Sequence, residues 1–328
     1  MRPAPDTGAT ANRMTMRLYR GFGALPAGFG PAVVAMGNFD GVHLGHRAVI
    51  AGAVASARSR GVLAAIVTFH PHPLRILAPE RSPLLIQSLE DRIACLEASG
   101  VDAVVLVPFT RLLASIDART FVEDYLMCRL GCVELRVGGD ARFGHARAGD
   151  VDMLRRFAAT GALDVLVTDA VIEGGIRSSS SEIRRRVIAG NVEGARVLLG
   201  RPFSLAGEVV TGAARGRRLG FPTANLLPDV AIRPAAGIYA AIASGSGWQA
   251  PAAVDVGPIP TFGVPSPVVE AHLIGFDGEL PGTRMRIDFL VRLRDVVAFA
   301  DVEQLKRQIA VDVAATLDAV GDVQAGRP

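Results

Sequence analysis

Lysine is almost absent from this sequence. The 328 residues include 35 lysines and arginines together, and Lys306 is the single lysine among them. Walker A loops, Schiff-base enzymes and Ser–Lys hydrolases each need a placed lysine, so the sequence excludes these three classes. The net charge is only +3. Such a small excess suits an anionic small molecule as well as RNA, and there is no basic block typical of a nucleic-acid-binding tail.

Cysteine is scarce, and long apolar runs are missing. Cys95, Cys128 and Cys132 form no CxxC pair and show no histidine spacing typical of zinc sites. They lie in apolar segments, so we expect buried, inert thiols and a reducing compartment. The longest uncharged stretch of note, residues 234–254, is broken by proline, glycine and serine. This composition is typical of strands and turns and not of a membrane span.

The N-terminal residues lack the apolar region of a secretory signal. We therefore expect a disordered leader over residues 1–16, with Met14 and Met16 as alternative starts, and a cytoplasmic protein. The whole sequence is 50% apolar and 20% charged, which excludes an intrinsically disordered protein. Its length exceeds one ordinary core, so two domains are expected.

From Ala32 to about Gly200, short apolar runs alternate with segments of helical period. Strands are predicted over residues 32–36, 62–69, 101–107, 133–137 and 163–167. Helices are predicted over residues 49–57, 88–100, 118–130, 151–159, 181–189 and 192–199. Continuously apolar strands are typical of parallel sheets that are buried on both faces. The alternation predicts an α/β doubly wound domain over residues 17–200, with a ligand crevice at the carboxyl ends of its strands.

After Gly200, strand periods dominate. Strands are predicted over residues 204–210, 237–243, 248–256, 268–276 and 285–293. The last strand alternates apolar residues from Met285 to Leu293 with charged ones. A helix is predicted from about Asp301, with the apolar stripe Val302, Leu305, Ile309, Val313 and Leu317. We predict a small antiparallel β-barrel with a C-terminal helix over residues 201–320.

A segment rich in glycine and histidine follows the first predicted strand. It reads Gly37-Asn38-Phe39-Asp40-Gly41-Val42-His43-Leu44-Gly45-His46 and continues into a helix. Glycines allow close approach of the backbone to a ligand, and a helix N-terminus offers free N–H groups to phosphate. The spacing of His43 and His46 lets both imidazoles stabilise charge on an α-phosphate and a pyrophosphate leaving group. The alternative is two polar histidines near a helix cap, and the coincidence of strand, glycine turn and helix favours phosphate binding.

This segment resembles the signature of the nucleotidylyltransferase superfamily, in the form found in the prokaryotic bifunctional riboflavin kinase/FAD synthetase family. Three later segments resemble further motifs of that family in the same order: residues 68–73 (TFHPHP), 137–144 (VGGDARFG) and 179–184 (SSSEIR). The resemblance runs from about Leu18 to Asp318. It implies the doubly wound domain and barrel predicted above, and an enzyme that acts on flavins and ATP.

The resemblance also implies roles for individual residues. His43 and His46 are catalytic. The nucleotide- and phosphate-binding residues of this half are Gly37, Asn38, Phe39, Asp40, Gly41, Gly45, Ser179, Ser180, Ser181 and Arg184. The flavin-binding residues are His72, Asp140 and Phe143. Other interpretations stay open: a proline-rich turn for His72, a core position for Phe143, and serines that cap a helix without a ligand.

A loop with three arginines joins the first two strands of the predicted barrel. Residues 212–225 read GAARGRRLGFPTAN, and such a loop can wrap a polyphosphate with backbone N–H groups and charge. It resembles the riboflavin-kinase loop of the same family. The resemblance implies nucleotide binding by Gly212, Arg217, Gly220 and Pro222. It also implies that Thr223 and Asn225 supply neutral oxygens to Mg²⁺.

Glu270 lies on a predicted strand whose alternate residues Val269, Ala271 and Leu273 look buried. Glu270 and His272 are therefore expected on the opposite face, open to the nucleotide loop. The family resemblance implies that Glu270 is the general base for the flavin 5′-hydroxyl. A solvated strand carboxylate is the alternative.

The sequence departs from the family pattern in three segments. Ala141 replaces a bulky residue, Pro258-Ile259 replaces a polar residue and an arginine, and Pro281 replaces a tyrosine. The first departure concerns the packing of the flavin, and the other two concern the activity of the kinase half.

The resemblance implies a bifunctional transferase. Its barrel phosphorylates riboflavin with ATP to FMN, and its first domain adenylylates FMN with a second ATP, giving FAD and pyrophosphate. Mg²⁺ is the expected cofactor, and ATP, riboflavin, FMN and FAD are the expected ligands, without nucleic acid or membrane. The oligomeric state stays open.

Three alternatives are kept. The first is an FMN adenylyltransferase whose kinase half is silent because of the substitutions in the barrel. The second is a regulatory flavin- or RNA-binding module, which predicts damaged histidine and metal positions. The third is another nucleotidylyltransferase with an appended barrel, against which GFPTAN and the downstream Glu270 argue.

Overall fold

The computed structural model describes residues 16–211, 220–257, 269–278 and 280–325. The chain divides into two units, and each unit combines separate segments of the sequence. The first unit contains residues 16–38, 49–77 and 96–168, and the second contains 39–48, 78–95 and the chain from 169 onward. The predicted domain limits, 17–200 and 201–320, stay predictions. Apart from Met16, the predicted leader lies outside the described residues.

A six-stranded sheet forms the centre of the first unit, and each neighbouring pair of its strands is parallel. The strands are β1 (Arg17–Arg20), β2 (Ala32–Met36), β3 (Leu63–His70), β4 (Ala103–Pro108), β5 (Cys132–Gly138) and β6 (Asp164–Thr168). All five residues of β2 are buried, as its continuous apolar run predicts. The predicted doubly wound fold is confirmed.

Helices connect these strands. They are α1 (Leu44–Arg60), α2 (Pro73–Leu77), α3 (Leu89–Ala98), α4 (Arg111–Ala114), α5 (Ala118–Thr120), a π-helix (Phe121–Arg129) and α6 (Val151–Ala159). Short 3-10 turns cover Phe22–Ala24, Pro79–Arg81 and His145–Arg147. Ser88 caps α3, since its Oγ accepts the Asp91 N–H at 3.0 Å and donates to the Asp91 carboxylate at 3.0 Å.

The strand order of the sheet is β1-β4-β3-β2-β5-β6. From β2 the chain proceeds to β3 and β4 on one side, and it returns to β5 on the other side. The order therefore reverses at β2, and the gap between the carboxyl ends of β2 and β5 is a topological switch point. In open α/β sheets, ligands bind at this position.

The second unit contains a closed six-stranded antiparallel barrel. Its strands are β9 (Phe203–Val210), β10 (Thr223–Pro228), β11 (Gly237–Gly245), β12 (Trp248–Val256), β13 (Val269–Leu273) and β14 (Arg284–Arg294). A hairpin of β7 (Ile172–Glu173) and β8 (Ile176–Arg177) and the helices α7 (Ser180–Ile188) and α8 (Val192–Leu199) precede it, and α9 (Val302–Gln324) follows. The predicted barrel with a C-terminal helix is confirmed.

Two strand predictions for the barrel were inexact. Thr223 and Asn225 lie on β10 and not in a loop, because this segment pairs with both β9 and β13. The uninterrupted alternation predicted for β14 breaks after Phe289, since Leu290 is also buried. The register with β11 shifts at this point. A β-bulge inserts one residue there, so the side chains that follow it point to the opposite faces from those predicted.

The apolar stripe predicted for the C-terminal helix is wrong at both ends. Val302 and Leu317 are exposed. The buried positions of α9 include Asp312 and Thr316. Asp312 is buried because its carboxylate accepts hydrogen bonds from Nε and Nη2 of Arg294 on β14, at 2.9 and 2.6 Å. A buried ion pair therefore fixes which face of α9 meets the barrel.

The prediction of three buried cysteines holds in part. Cys132 is buried, and burial raises the pKa of its thiol to about 12. Cys95 is half-buried. Cys128 is exposed, so the prediction is wrong there. Cys128 lies in the π-helix, and the wider turn of this helix places residues differently from the α-helical period used for the prediction.

Candidate active sites

The first motif begins at the carboxyl edge of the parallel sheet. Gly37 follows β2, and its N–H donates to the carbonyl of Val67 on β3 at 3.1 Å. The Thr68 hydroxyl donates to the Asn38 carbonyl at 3.1 Å, and Thr68 is fully buried. The end of β3 therefore fixes the backbone of the motif where it leaves the sheet.

Two glycines of the motif are required by space and by backbone conformation. Gly41 has a φ of 86°, and a Cβ there would lie 3.0 Å from Cδ1 of Ile86. At Gly45, a Cβ would lie 3.1 Å from Cε1 of His43 and 3.2 Å from the Ser178 carbonyl. Phe39 and Val42 also have positive φ values, 50° and 38°. Strained non-glycine residues of this kind are concentrated at functional sites.

The two histidines of the motif stack on each other. Their ring centroids are 3.7 Å apart with an interplanar angle of 24°, and Phe39 packs edge-on against His46 at 5.2 Å. Nδ1 of His43 lies 3.2 Å from the Ser178 hydroxyl and 3.4 Å from the backbone nitrogen of His46. Nδ1 of His46 is buried and meets no hydrogen-bond partner in the described part of the chain. A buried polar atom of this kind suits a ligand.

Burial lowers the pKa of His46 well below 6.5, and the positive charges of His43, Arg184 and Arg92 lower it further. The His46 imidazole is therefore neutral at physiological pH. A neutral imidazole donates one hydrogen bond and accepts another.

Asp40 and Arg184, both predicted to bind phosphate, pair with each other. The Asp40 carboxylate accepts Nη2 of Arg184 at 2.6 Å and the N–H of Ile86 at 3.1 Å. Nε of Arg184 donates to the Leu84 carbonyl at 2.7 Å, and the Ser180 hydroxyl donates to the Asp40 carbonyl at 2.9 Å. Asp40 therefore positions Arg184. Phosphate contacts of both residues stay predictions.

The serine run forms the N-terminus of α7. Ser179 is the N-cap, with its Oγ accepting the Glu182 N–H at 3.3 Å, and Ser181 is exposed in the first turn. Hydrogen bonds from Arg185 and Arg186 lower the pKa of Glu182 to about 2. Ser179 therefore caps the helix, as the alternative interpretation of the serines predicted. Phosphate binding by the run stays a prediction.

The residues predicted to bind flavin lie in two loops of the first unit. His72 precedes α2, and its Nδ1 accepts the Leu74 N–H at 3.3 Å. Asp140 follows β5 and is exposed. Phe143 is 8% exposed and packs in the core near Phe121. This is the core position that the sequence analysis kept as an alternative to flavin binding. A flavin contact of these residues stays a prediction.

A cavity of about 190 Å³ lies at the ends of β5 and β6. Its lining includes Gly139 and Arg142 of the VGGDARFG segment, with Asp150, Asp152 and Arg155. The cavity therefore adjoins the predicted flavin loop at the carboxyl edge of the sheet, where the fold predicts ligands.

One face of the barrel carries the second predicted site. In the strand register, Asn225 of β10 lies opposite Glu270 of β13, and Glu270 lies opposite Asp255 of β12. Thr223 lies opposite His272 on the same face. Val269, Ala271 and Leu273 are buried on the other face, so the predicted orientation of Glu270 is confirmed.

The ring of His272 is fixed near the loop end. Its Nδ1 lies 2.9 Å from the Pro222 carbonyl, and Phe221 packs edge-on at 5.4 Å. Desolvation and then the Glu270 charge raise the pKa of Asp255 above its usual range. Gly220 has a φ of 88° and is exposed. Gly212, Arg217, Pro258 and Ile259 lie outside the described residues.

Two family models match the chain, one in each half. The model described as FAD synthetase matches residues 27–182, and that described as riboflavin kinase matches residues 199–320. The bifunctional riboflavin kinase/FMN adenylyltransferase of Pseudomonas fluorescens is 36% identical over 301 residues, 92% of this chain and 96% of the relative. The chain belongs to this family of bifunctional enzymes.

Further relatives of the same description are spread across bacteria. The Escherichia coli K12 enzyme is 35% identical over 85% of this chain and 90% of its own length, and the Bacillus subtilis enzyme is 34% identical over 86% and 90%. A solved structure described as a macrolide-efflux protein from Streptococcus pneumoniae is 28% identical, with a TM-score of 0.81 over 92% of this chain and 98% of that one. Among the described helices, none is long and apolar enough to cross a membrane.

The donor set on the barrel face fits a hard divalent cation. Thr223 and Asn225 offer neutral oxygens beside the Glu270 carboxylate, and the described residues contain no cluster of three or more His, Cys, Asp or Glu side chains. Few protein ligands are typical of Mg²⁺, which keeps several waters and binds substrate phosphates.

Sequence reasoning missed two residues of the first site. Ser178 is 4% exposed, contacts His43 and donates to the Leu198 carbonyl at 2.9 Å. The signal was present, because Ser178 is the first of four consecutive serines and only the last three were considered. Arg92 is 6% exposed, and its charge acts on both His46 and Asp40. A basic residue on the buried side of a predicted helix was the available signal.

Proposed function

We propose that this chain carries out both reactions of its family. It phosphorylates riboflavin with ATP to FMN, and it transfers AMP from a second ATP to FMN, giving FAD and pyrophosphate. The main observation in favour is the barrel face, where Thr223, Asn225 and Glu270 occupy adjacent register positions on β10 and β13. The family resemblance implies roles for these three residues in the kinase reaction, and they lie beside the loop from Gly220 to Pro222.

In the kinase reaction, the Glu270 carboxylate accepts the proton of the riboflavin 5′-hydroxyl as its oxygen attacks the γ-phosphorus of ATP in line with the leaving ADP. Glu270 is exposed on its strand face, so its oxygens are accessible to a substrate. Thr223 and Asn225 would hold Mg²⁺. When bound, this ion neutralises phosphate charge. His272 and Phe221 form the neighbouring wall.

In the adenylyl transfer, a phosphate oxygen of FMN attacks the α-phosphorus of ATP, and the bond to the pyrophosphate oxygen breaks. No covalent enzyme intermediate is needed. His43 and the neutral His46 donate hydrogen bonds to the phosphate oxygens as charge builds on them. Ser178 holds the His43 ring, and Asp40 holds Arg184, so the donors are fixed before substrate arrives.

The test is a time course with riboflavin, ATP and Mg²⁺, in which chromatography separates the three flavins. We expect FMN to appear first and FAD second. Glu270→Gln is expected to slow FMN formation by about 10²–10⁴-fold, because it removes the general base. It leaves the conversion of supplied FMN to FAD unchanged. His46→Asn is the matched control, with the opposite pattern.

Each other outcome selects a different function. If the unmodified protein leaves riboflavin unchanged but converts supplied FMN to FAD, the chain is an FMN adenylyltransferase only. If neither flavin changes, the binding-module hypothesis replaces the catalytic one. A cytoplasmic location and the absence of a nucleic-acid partner also remain part of the proposal, and the same purified protein tests the latter by titration with RNA.

A further inference from the structure

Ser178 lies between β8 and α7, and its buried hydroxyl contacts the first motif. Its backbone is fixed, since its N–H donates to the Val171 carbonyl at 2.8 Å. The hydroxyl donates to the Leu198 carbonyl at 2.9 Å, and its oxygen lies 3.2 Å from Nδ1 of His43 and 3.4 Å from the backbone nitrogen of Gly45. A hydroxyl has one proton to donate and two lone pairs that accept. The direction of that single proton therefore determines what Nδ1 of His43 can do.

The Leu198 carbonyl needs this proton. Leu198 lies in the last turn of α8 and is 1% exposed. Continuation of the helix cannot supply a donor to its carbonyl, because the residue four positions later is Pro202, which has no N–H. A buried carbonyl without a donor is costly. The Ser178 hydroxyl is therefore the donor to Leu198, and its oxygen accepts from the other two groups.

Nδ1 of His43 is then the donor in its 3.2 Å contact with Ser178. The alternative is an unprotonated Nδ1 that accepts the backbone N–H of His46, but this contact is 3.4 Å long, beyond the usual range. It would also turn the Ser178 proton toward Nδ1 and leave the Leu198 carbonyl without it. With Nδ1 protonated, the His46 N–H in the first turn of α1 is available to a ligand instead.

We propose that Ser178 is a positioning residue for adenylyl transfer, which keeps a proton on Nδ1 of His43 and leaves Nε2 as the nitrogen that meets phosphate. This inference rests on the adenylyl transfer proposed above. Because Nδ1 already holds one proton, donation from Nε2 requires a second, and His43 acts as an imidazolium. The neighbouring His46 is neutral. The two stacked histidines therefore have different tasks, one cationic and one neutral.

This division of tasks suits the chemistry of the transfer. Negative charge grows on the oxygen that leaves with pyrophosphate, so a cationic donor stabilises the transition state more than the bound substrate. The triphosphate in turn compensates the charge of the imidazolium. The ring of His46 lies 3.7 Å from that of His43, centroid to centroid, and a neutral ring at this distance does not repel a cation as a second imidazolium would.

Long-range ¹H–¹⁵N NMR of the full chain, labelled with ¹⁵N at histidine, tests the proposal directly. His43→Asn assigns the resonances. In the free protein we expect a protonated Nδ1 on His43. With Mg²⁺ and α,β-methylene-ATP, which cannot be cleaved between its α and β phosphorus atoms, we expect both ring nitrogens to be protonated. An unprotonated Nδ1 in either state overturns the proposal, and so does a neutral His43 in the complex.

Ser178→Ala removes the acceptor of the Nδ1 proton. In the free variant, the contact with the His46 N–H then favours an unprotonated Nδ1, so we expect the proton on Nε2. The kcat for conversion of supplied FMN to FAD is expected to fall by about 10–10²-fold, because a displaced donor loses its alignment with the transition state. The KM for FMN and the phosphorylation of riboflavin are expected to stay unchanged.

Ser99→Ala is the matched control, because the Ser99 hydroxyl also donates to a helix carbonyl, that of Leu96. We expect it to keep both activities and the His43 spectrum. An unchanged His43 tautomer or an unchanged kcat in Ser178→Ala contradicts the proposal, and an equal loss of both reactions shows a purely structural role.

The unmodified protein separates this inference from the proposed function. If it does not convert FMN to FAD, the proposed adenylyl transfer is wrong, and the spectrum of the free protein still reports the direction of the hydrogen bond between Ser178 and His43. If it converts FMN while Nδ1 is unprotonated, only the inference about Ser178 is wrong. The same two spectra decide the question if Ser178→Ala does not fold.

Discussion

At the scale of single residues, His46 combines a catalytic position with an unusual electrostatic environment. Its imidazole stacks on His43, and its Nδ1 is buried without a partner among the described residues. The positive charges of Arg184 and Arg92 lie close enough to act on it. A neutral imidazole can still donate a hydrogen bond to a phosphate oxygen, and it does not repel the neighbouring cations. The two arginines attract the same phosphate.

We expect His46 to titrate well below pH 6.5 in the free protein, because burial and nearby cations disfavour the imidazolium. Because the pKa of His46 is lower in the folded protein than in the unfolded chain, the unfolded chain binds more protons at pH values between these two pKa values. The stability from this group is therefore complete above about pH 6.5 and is lost as the pH falls through the folded pKa. Imidazole ¹H–¹⁵N NMR checks this, with His46→Asn to assign the resonance. A midpoint at or above pH 6.5 contradicts it.

The cysteines give a second prediction at this scale. In the native protein at pH 8, iodoacetamide is expected to modify Cys128, which is exposed. Cys132 is expected to stay unmodified, because it is buried and its thiol pKa is raised to about 12. Peptide mass spectrometry distinguishes the two sites, and labelling in guanidinium is the control in which both react. Native modification of Cys132 at the rate of Cys128 is the contrary result.

At the scale of elements, α9 depends on a polar anchor. Arg294 of β14 binds Asp312 in bidentate fashion, Gln308 donates to the same carboxylate at 3.0 Å, and the Thr316 hydroxyl donates to the Asp312 carbonyl at 2.8 Å. These contacts form a network on the buried face of the helix. Apolar contacts alone do not select this face, because Val302, Val311 and Leu317 remain exposed.

Asp312→Ala is expected to lower the free energy of unfolding by about 3–5 kcal/mol, because it leaves the Arg294 guanidinium without its partner. Asp318→Ala on the exposed face of α9 is the matched control, with an expected change within about 0.5 kcal/mol. Urea unfolding followed by circular dichroism measures both. Equal losses in the two variants show that α9 does not depend on this ion pair.

The sequence predicted best the elements in which the buried residues follow the regular spacing of a strand or a helix. β2 has only buried residues and β12 keeps the predicted bounds, and α6 begins and ends as predicted. The failures have another cause. β10 is a strand because two partners pair with it, and the shift in β14 comes from a bulge against β11, so neither is encoded locally.

The candidate sites divide in the same way. The spacing of the motifs predicted the strand face on which Glu270 lies and the proximity of His43 and His46. Both follow from local periodicity, which determines which side chains lie side by side. The contacts by which distant segments support the site depend on the tertiary fold, so the sequence predicted none of them. Arg92 comes from α3, and the pairing of Arg184 with Asp40 joins positions far apart in sequence.

At the scale of the whole molecule, the barrel core extends beyond the predicted barrel domain. One hydrophobic cluster contains barrel residues such as Phe203, Tyr239 and Phe289 together with apolar residues of α7 and α8. The contributions of the two helices are Ile183, Val187, Val192, Ala195, Leu198 and Leu199. The turn between these helices also approaches closely, since a Cβ at Gly190 would lie 2.8 Å from the Tyr239 hydroxyl.

A fragment of residues 169–328 is therefore expected to be more stable than one of residues 201–328. The shorter fragment exposes the apolar surface that α7 and α8 cover, and each buried aliphatic side chain contributes about 1.5–3 kcal/mol. Urea midpoints of the two fragments measure the difference, and quenching of riboflavin fluorescence reports whether the barrel is folded. Equal midpoints contradict the prediction and support a domain boundary at residue 200.

The ion pair between Asp40 and Arg184 also has a consequence for folding during synthesis on the ribosome. The two residues are 144 positions apart. At about 5–20 residues per second, Arg184 is added roughly 7–29 s after Asp40. During this interval the nascent chain already carries both histidines but lacks the guanidinium that compensates the Asp40 carboxylate. The first motif is thus translated early, and its contact with Arg184 forms only after the segment that carries Arg184 has been added.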